Sequence, residues 1–176
     1  YLKMSARQTK MYINIIFCKN ILFCRANMYW YIRAVMESNG FKATDYKVLY
    51  SYPNTVQVEQ YPTIAIDRNT VRKEHFEIGG VDRTKVSLVL DVLANSRDQK
   101  EDISSVLQDY FHERDFTLYD FTTLFPTVVG DYTGIPSRGV FIVESVSVVT
   151  LHPPQFSNVP AEKFHDMLIM DVLYRV

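Results

Sequence analysis

The stretch Val86–Phe111, VSLVLDVLANSRDQKEDISSVLQDYF, joins two periodicities that no single element can satisfy. Val86, Leu88, Leu90, Val92 and Ala94 alternate with Ser87, Val89, Asp91, Leu93 and Asn95, the period of two that gives a strand one apolar face. Ser96 stands three residues before Gln99, a capping-box spacing that satisfies orphan N–H groups at a helix start. Ile103, Val106, Leu107, Tyr110 and Phe111 then recur at i, i+3, i+4, i+7 and i+8, one apolar stripe on a helix. The unit is architecture without evident chemistry, so function is expected to come from shape and assembly.

Upstream, residues 5–39 hold neither Pro nor Gly. Ser5 with Gln8 offers a second capping box, and Asn39-Gly40 followed by Phe41 reads as a left-handed stop with its apolar contact. One long helix, or two broken near Lys19-Asn20, is expected; a continuous one would run roughly 50 Å at 1.5 Å per residue. Ile13, Ile16, Phe17, Leu22, Phe23, Met28, Tyr29, Trp30, Ile32 and Val35 leave it apolar on nearly every side. A helix of that kind is normally buried all round, which predicts that a neighbouring subunit covers part of it. Asn14, Lys19, Asn20, Arg25, Asn27 and Arg33 interrupt the stretch too often for a membrane span. It also lacks the form of a signal peptide, and the chain is expected to be soluble. Cys18 and Cys24, six apart, cannot pair within a helix and read as two buried core thiols.

After Gly40 the texture turns to β. Lys47–Tyr52, Val56–Gln60, Tyr61–Asp67 and His75–Ile78 are short strand candidates, with a turn at Asp67–Thr70 and a stop at Gly79-Gly80. Beyond the central helix, Asp115–Phe121 reads as a short edge strand and Leu124–Gly139 as a loop punctuated by Pro126, Gly130, Gly134 and Pro136. Val140–Leu151 is a long alternating strand, and Phe164–Val176 a final one. The expected fold is α+β: a long N-terminal helix and a mixed, mostly antiparallel sheet with the central helix packed on one face. The chain divides into an N-terminal helical segment over 1–40 and a core over 41–176, one domain overall.

Hydrophobic residues make up 47% of the 176, enough for a sizeable core. The 19 Lys and Arg against 20 Asp and Glu leave a net charge of −1, so charge makes no global case for nucleic acid or a membrane surface. Four histidines, His75, His112, His152 and His165, lie far apart with no ligand spacing. Gly79-Gly80 lacks the partners of a phosphate or dinucleotide loop and reads as a tight turn. Asp91 and Asp171 interrupt strand patterns and are candidates to face each other across the sheet, though solvated or ion-paired roles are expected of both. Ser104-Ser105 lie mid-helix with no elbow motif and are not nucleophiles. Arg97–Asp102 is the polar first turn of the central helix, either solvated or an intersubunit rim, its acids suited to the positive end of the helix dipole. No catalytic residue, metal or cofactor is expected.

The order of elements and the texture of Val86–Phe111 resemble the tail terminator, or tail completion, proteins of long-tailed bacteriophages. The Y-P-x-I-A-I-D-like strand is Tyr61–Asp67, the E-I-G-G-like turn Glu77–Gly80, and the last strand ends AEKFHDMLIMDVLYRV. The likeness covers about residues 45 to 176. It implies a non-enzymatic virion protein, assembled in the host cytoplasm, that forms a ring, usually hexameric, on the end of the tail tube. Its partners would be other copies of itself, the tube or sheath protein gripped by Leu124–Gly139, and the head–tail connector. DNA would pass through the lumen without sequence-specific binding, and no membrane is involved. The alternatives are a small nucleic-acid enzyme with Asp91, Asp171 or Glu144 holding Mg²⁺, and a generic protein-binding module.

Overall fold

The computed structural model describes residues 25–50, 62–74, 83–151 and 164–175. Two helices and one sheet organise them: α1 over 25–38, β1 (Lys47–Leu49), β2 (Thr63–Glu74), β3 (Arg83–Leu93), α2 (Arg97–Phe111), β4 (Arg114–Tyr119), β5 (Ser137–Leu151) and β6 (His165–Arg175). The sheet order is β1-β2-β3-β6-β5-β4. Only β1 and β2 run parallel; every other neighbouring pair is antiparallel.

The expected α+β fold led by a long N-terminal helix is corrected here. Among the described residues the fold is mostly sheet, a six-stranded mixed half-barrel with two helices, and no long N-terminal helix is present. The described helix α1 has 14 residues and one buried stripe, not an apolar surface on every side. Met28, Tyr31, Ile32, Val35 and Met36 are its buried stripe, while Tyr29 and Trp30 are only half-buried on its flanks. Tyr29 stacks on Tyr50 at 4.9 Å and Trp30 tilts against Phe121 at 6.4 Å. Over 25–38 rings of the same chain therefore lie against both flanks of the helix. Cys18, Cys24, the Ser5–Gln8 box, Val56–Gln60, His75–Ile78, Gly79-Gly80 and His152 lie outside the described residues.

The opening unit forms as its pattern requires. Val86, Leu88, Leu90 and Val92 are at most 1% exposed and face the helices. Ser96 caps α2 by accepting from the Gln99 N–H at 3.2 Å. The Gln99 side chain accepts from the Asn95 N–H at 3.1 Å, one residue earlier than a strict capping box. At the end of α1 the Phe41 N–H donates to the Met36 carbonyl and the Gly40 N–H to that of Glu37. This is the Schellman arrangement, with Gly40 at φ 87° and Phe41 packed on the core.

Two strand boundaries move. The expected turn at Asp67–Thr70 is a β-bulge inside a continuous β2, whose register against β3 shifts between Arg68 and Thr70. A polar run on a long strand is tolerated where a bulge takes up the unpaired residue. β5 begins at Ser137, because its first residues pair with the short β4.

Helix α1 is bonded to the edge strand β4 on one side and to β2, the neighbour of edge strand β1, on the other. At the β4 edge, the Asn27 amide donates to the Tyr119 carbonyl at 2.9 Å and accepts from the Tyr119 N–H at 2.8 Å. One turn on, the Tyr31 hydroxyl donates to the Thr117 carbonyl at 2.8 Å. On the β2 side, Arg25 pairs with Asp67 at 2.8 Å. An open strand edge invites pairing with another chain, and covering it with a helix removes that hazard.

Candidate interaction surface

The segment from Asp120 to Pro136 is a built loop rather than a slack one. Asp120, 6% exposed, accepts from the Thr122 hydroxyl at 2.6 Å and N–H at 3.0 Å, and Arg138 closes on its other oxygen. These bonds, with those from Thr122 foremost, hold the Asp120 carboxyl below its usual range. The Asp120 N–H donates to the Pro136 carbonyl at 2.8 Å, tying the two ends of the loop together. Asp131 likewise accepts from the Thr133 N–H, and Gly130 and Gly134 adopt the positive φ values of 83° and 79° that the inner turns require.

From this frame an aromatic ridge runs across the molecule. Ring centroids step from Tyr50 to Tyr29 (4.9 Å), Trp30 (5.5 Å), Phe121 (6.4 Å) and Phe125 (6.2 Å). The Arg33 guanidinium lies over Tyr29 and Trp30 at 5.9 and 5.4 Å. Tyr132 stacks on Tyr119 at 4.5 Å and tilts against Tyr31, anchoring the loop to the core. Burial pushes the Tyr31 and Tyr132 phenols up, so both stay protonated. The two ends of the ridge are open to solvent, Tyr50 at 48% and Phe125 at 58%, and beside Phe125 stand Leu124 and Val128, also exposed. No charged residue occurs from Phe121 to Gly130. An exposed apolar surface carried on a fixed frame is the form of a docking site.

Of the candidate catalytic groups, Asp171 and Glu144 come together at Lys85, while Asp91 is bonded elsewhere. Asp91 and Asp171 lie on one face of the sheet but not opposite each other: Asp91 pairs in register with Met167, and Asp171 with Ser87 and Ser145. Asp91 shares a hydrogen bond of 2.8 Å with His165, both about one-tenth exposed. Asp171 and Glu144 flank the Lys85 ammonium at 3.3 and 3.0 Å, so an amine already sits between these carboxylates. The Lys85 pKa is raised, first by its bond to Glu144. His112 is exposed and lies 3.8 Å from the Glu113 carboxylate. Among the described residues no three His, Cys, Asp or Glu side chains gather as a metal would need.

Within Arg97–Asp102, Arg97 and Glu101 form an exposed i,i+4 pair at 2.7 Å. Lys100 is different: it is buried, 2.7 Å from Asp166, whose other oxygen accepts from Ser104 at 2.9 Å. The triad is legible in hindsight, because Lys100 sits seven residues before Leu107 on the apolar stripe and Asp166 starts the inward row Asp166, Leu168, Met170, Val172. The run Arg97–Asp102, expected as a solvated turn or an intersubunit rim, thus holds one buried charge, Lys100.

Among the described residues no helix is long and apolar enough to cross a membrane. No family model matches the chain, and none of the curated proteins searched matches it either.

Proposed function

We propose that this chain is a structural protein of a phage neck, a ring that terminates the tail tube and joins it to the head connector. The observation that carries the reading is the exposed, charge-free apolar surface at Leu124, Phe125 and Val128, set on the rigid aromatic ridge. It is the loop expected to grip the tube or sheath. The resemblance of Tyr61–Asp67, Glu77–Gly80 and the last strand to tail terminators supplies the context. A net charge of −1 suits a lumen that lets DNA slide through without holding it. In this reading the protein has no catalytic residue, cofactor or metal, and its home is the virion, reached from the host cytoplasm. Negative-stain images of the purified protein are expected to contain closed rings. Leu124→Ser/Phe125→Ser is expected to leave the rings intact while particles fail to join heads to tails. A monomer at micromolar concentration would overturn the proposal. Metal-dependent nuclease activity abolished by Asp91→Asn would replace it with the enzyme reading.

A further inference from the structure

β5 is 15 residues long, yet β4 covers only its first half, with Arg114 paired to Val143 as the last rung. Glu144 is bulged out of the β6 register, and beyond it Ser145–Leu151 pairs with β6 on one side. Among the described residues no strand lies on the other side. Ser145, Ser147, Val149 and Thr150 are exposed. This edge carries none of the usual guards against strand pairing: SVSVVTL has no charge, Pro or Gly.

We infer that Ser145–Leu151 is a pairing edge for the same segment of a second copy, forming an antiparallel two-fold contact that makes one sheet of two. Length selects the occupant. The slot is closed at one end by β4, and past its other end the sequence brings Pro153-Pro154, which have no N–H to donate. A strand that fills it without meeting β4 is seven residues long, as Ser145–Leu151 is. Register follows from face matching, since opposed residues in an antiparallel pair share a face. Val146, Val148 and Thr150 oppose Met170, Leu168 and Asp166 on the helix-covered face of β6; Ser145, Ser147, Val149 and Leu151 lie on the other. A two-fold axis perpendicular to the sheet keeps faces together only for like parity. The register that clears β4 places Val148 against its own copy, Val146 against Thr150, Ser147 against Val149 and Ser145 against Leu151. No like charges meet, and the exposed Val149 and half-buried Val148 are covered.

The contact does not depend on the ring. Sedimentation and light scattering of the whole chain are expected to give an even multiple of 20.5 kDa. Ser147→Lys/Val149→Lys sets two lysine pairs across the axis on solvent-exposed positions, and is expected to halve that mass with an unchanged circular dichroism spectrum. Val148→Cys puts a thiol on the axis, within disulfide reach of its own copy. Mild oxidation of that variant is expected to yield a symmetric peptide dimer joined through the two introduced thiols, told apart by mass from any product of Cys18 or Cys24. An odd stoichiometry, an unchanged mass in the lysine variant, or no such peptide would overturn the pairing. Rings that persist with the lysine variant at full mass would reject this edge and keep the neck reading. Dimers without rings would do the reverse.

Discussion

Asp166→Ala removes the carboxylate that faces the Lys100 ammonium beneath α2. Lys100 is 5% exposed, Asp166 3% and Ser104 4%, with contacts of 2.7 and 2.9 Å. Two charges taken out of water cost several kcal/mol each, and their mutual attraction with good hydrogen bonds roughly offsets this. Removing one partner leaves the other uncompensated, a loss of about 3–5 kcal/mol. With a urea slope of about 2 kcal/mol/M, typical of a domain of this size, the unfolding midpoint should fall by about 1.5–2.5 M. Lys100→Met alone should cost a comparable amount, because the Asp166 carboxylate then keeps only Ser104. The double variant Lys100→Met/Asp166→Leu puts matched apolar volume under the helix and should recover most of the loss, or exceed wild type by about 1–4 kcal/mol. Ser104 loses little there, since its hydroxyl can turn back to a carbonyl of its own helix. Trp30 fluorescence and far-ultraviolet circular dichroism followed through a urea titration give all four midpoints. A midpoint shift under about 0.5 M for Asp166→Ala, equal to about 1 kcal/mol at that slope, would refute the claim that the pair is desolvated.

Asn27→Ala strands the N–H and carbonyl of Tyr119 at the part-buried β4 edge; it should lower stability by about 1–3 kcal/mol, read from the same titration. Gly40→Ala meets no atom within 4 Å, so its whole cost is the positive φ, about 1–2 kcal/mol. Asp120 has a lowered folded pKa, so the stability it contributes is present above the ordinary carboxylate value and is lost as pH falls through the lower folded value. Thr122→Ala should flatten that acid limb of a stability-versus-pH curve, and an unchanged limb would discard the role of Thr122. Burial raises the Tyr31 pKa, so its stability is complete below the ordinary phenol value and lost as pH rises beyond it. Tyr31→Phe should then weaken the protein at neutral pH yet reduce its loss of stability in alkali.

Local chemistry made several features legible in the chain alone. The alternation of Val86–Leu93, the Ser96 cap, the α2 stripe and the Asn39-Gly40-Phe41 stop each depend on residues within one or two turns of each other, and each formed. Most of the loop over Leu124–Gly139 was also readable, because its Pro and Gly residues punctuate without ambiguity; only its last three residues belong to β5. What failed were readings that needed distant partners. Tyr29 and Trp30 looked like part of a helix apolar all round, but the rings of Tyr50 and Phe121 meet them within the same chain. Lys100 looked solvated, but a carboxylate 66 residues away neutralises it.

The sequence by itself determined the strand–helix unit of Val86–Phe111, the stop at Asn39-Gly40-Phe41 and the apolar faces of these elements, because period and capping act over a few residues. Only the tertiary structure decided the strand order, with the last strand, β6, inserted between β3 and β5. That insertion pairs Asp91 with His165 and Asp166 with Lys100, sets Asp171 beside Lys85, and leaves the second half of β5 bare. Each result follows from contacts across 60 residues or more, or from a mismatch in strand lengths. No local period records either, since the free energy of such contacts is settled only when the sheet closes.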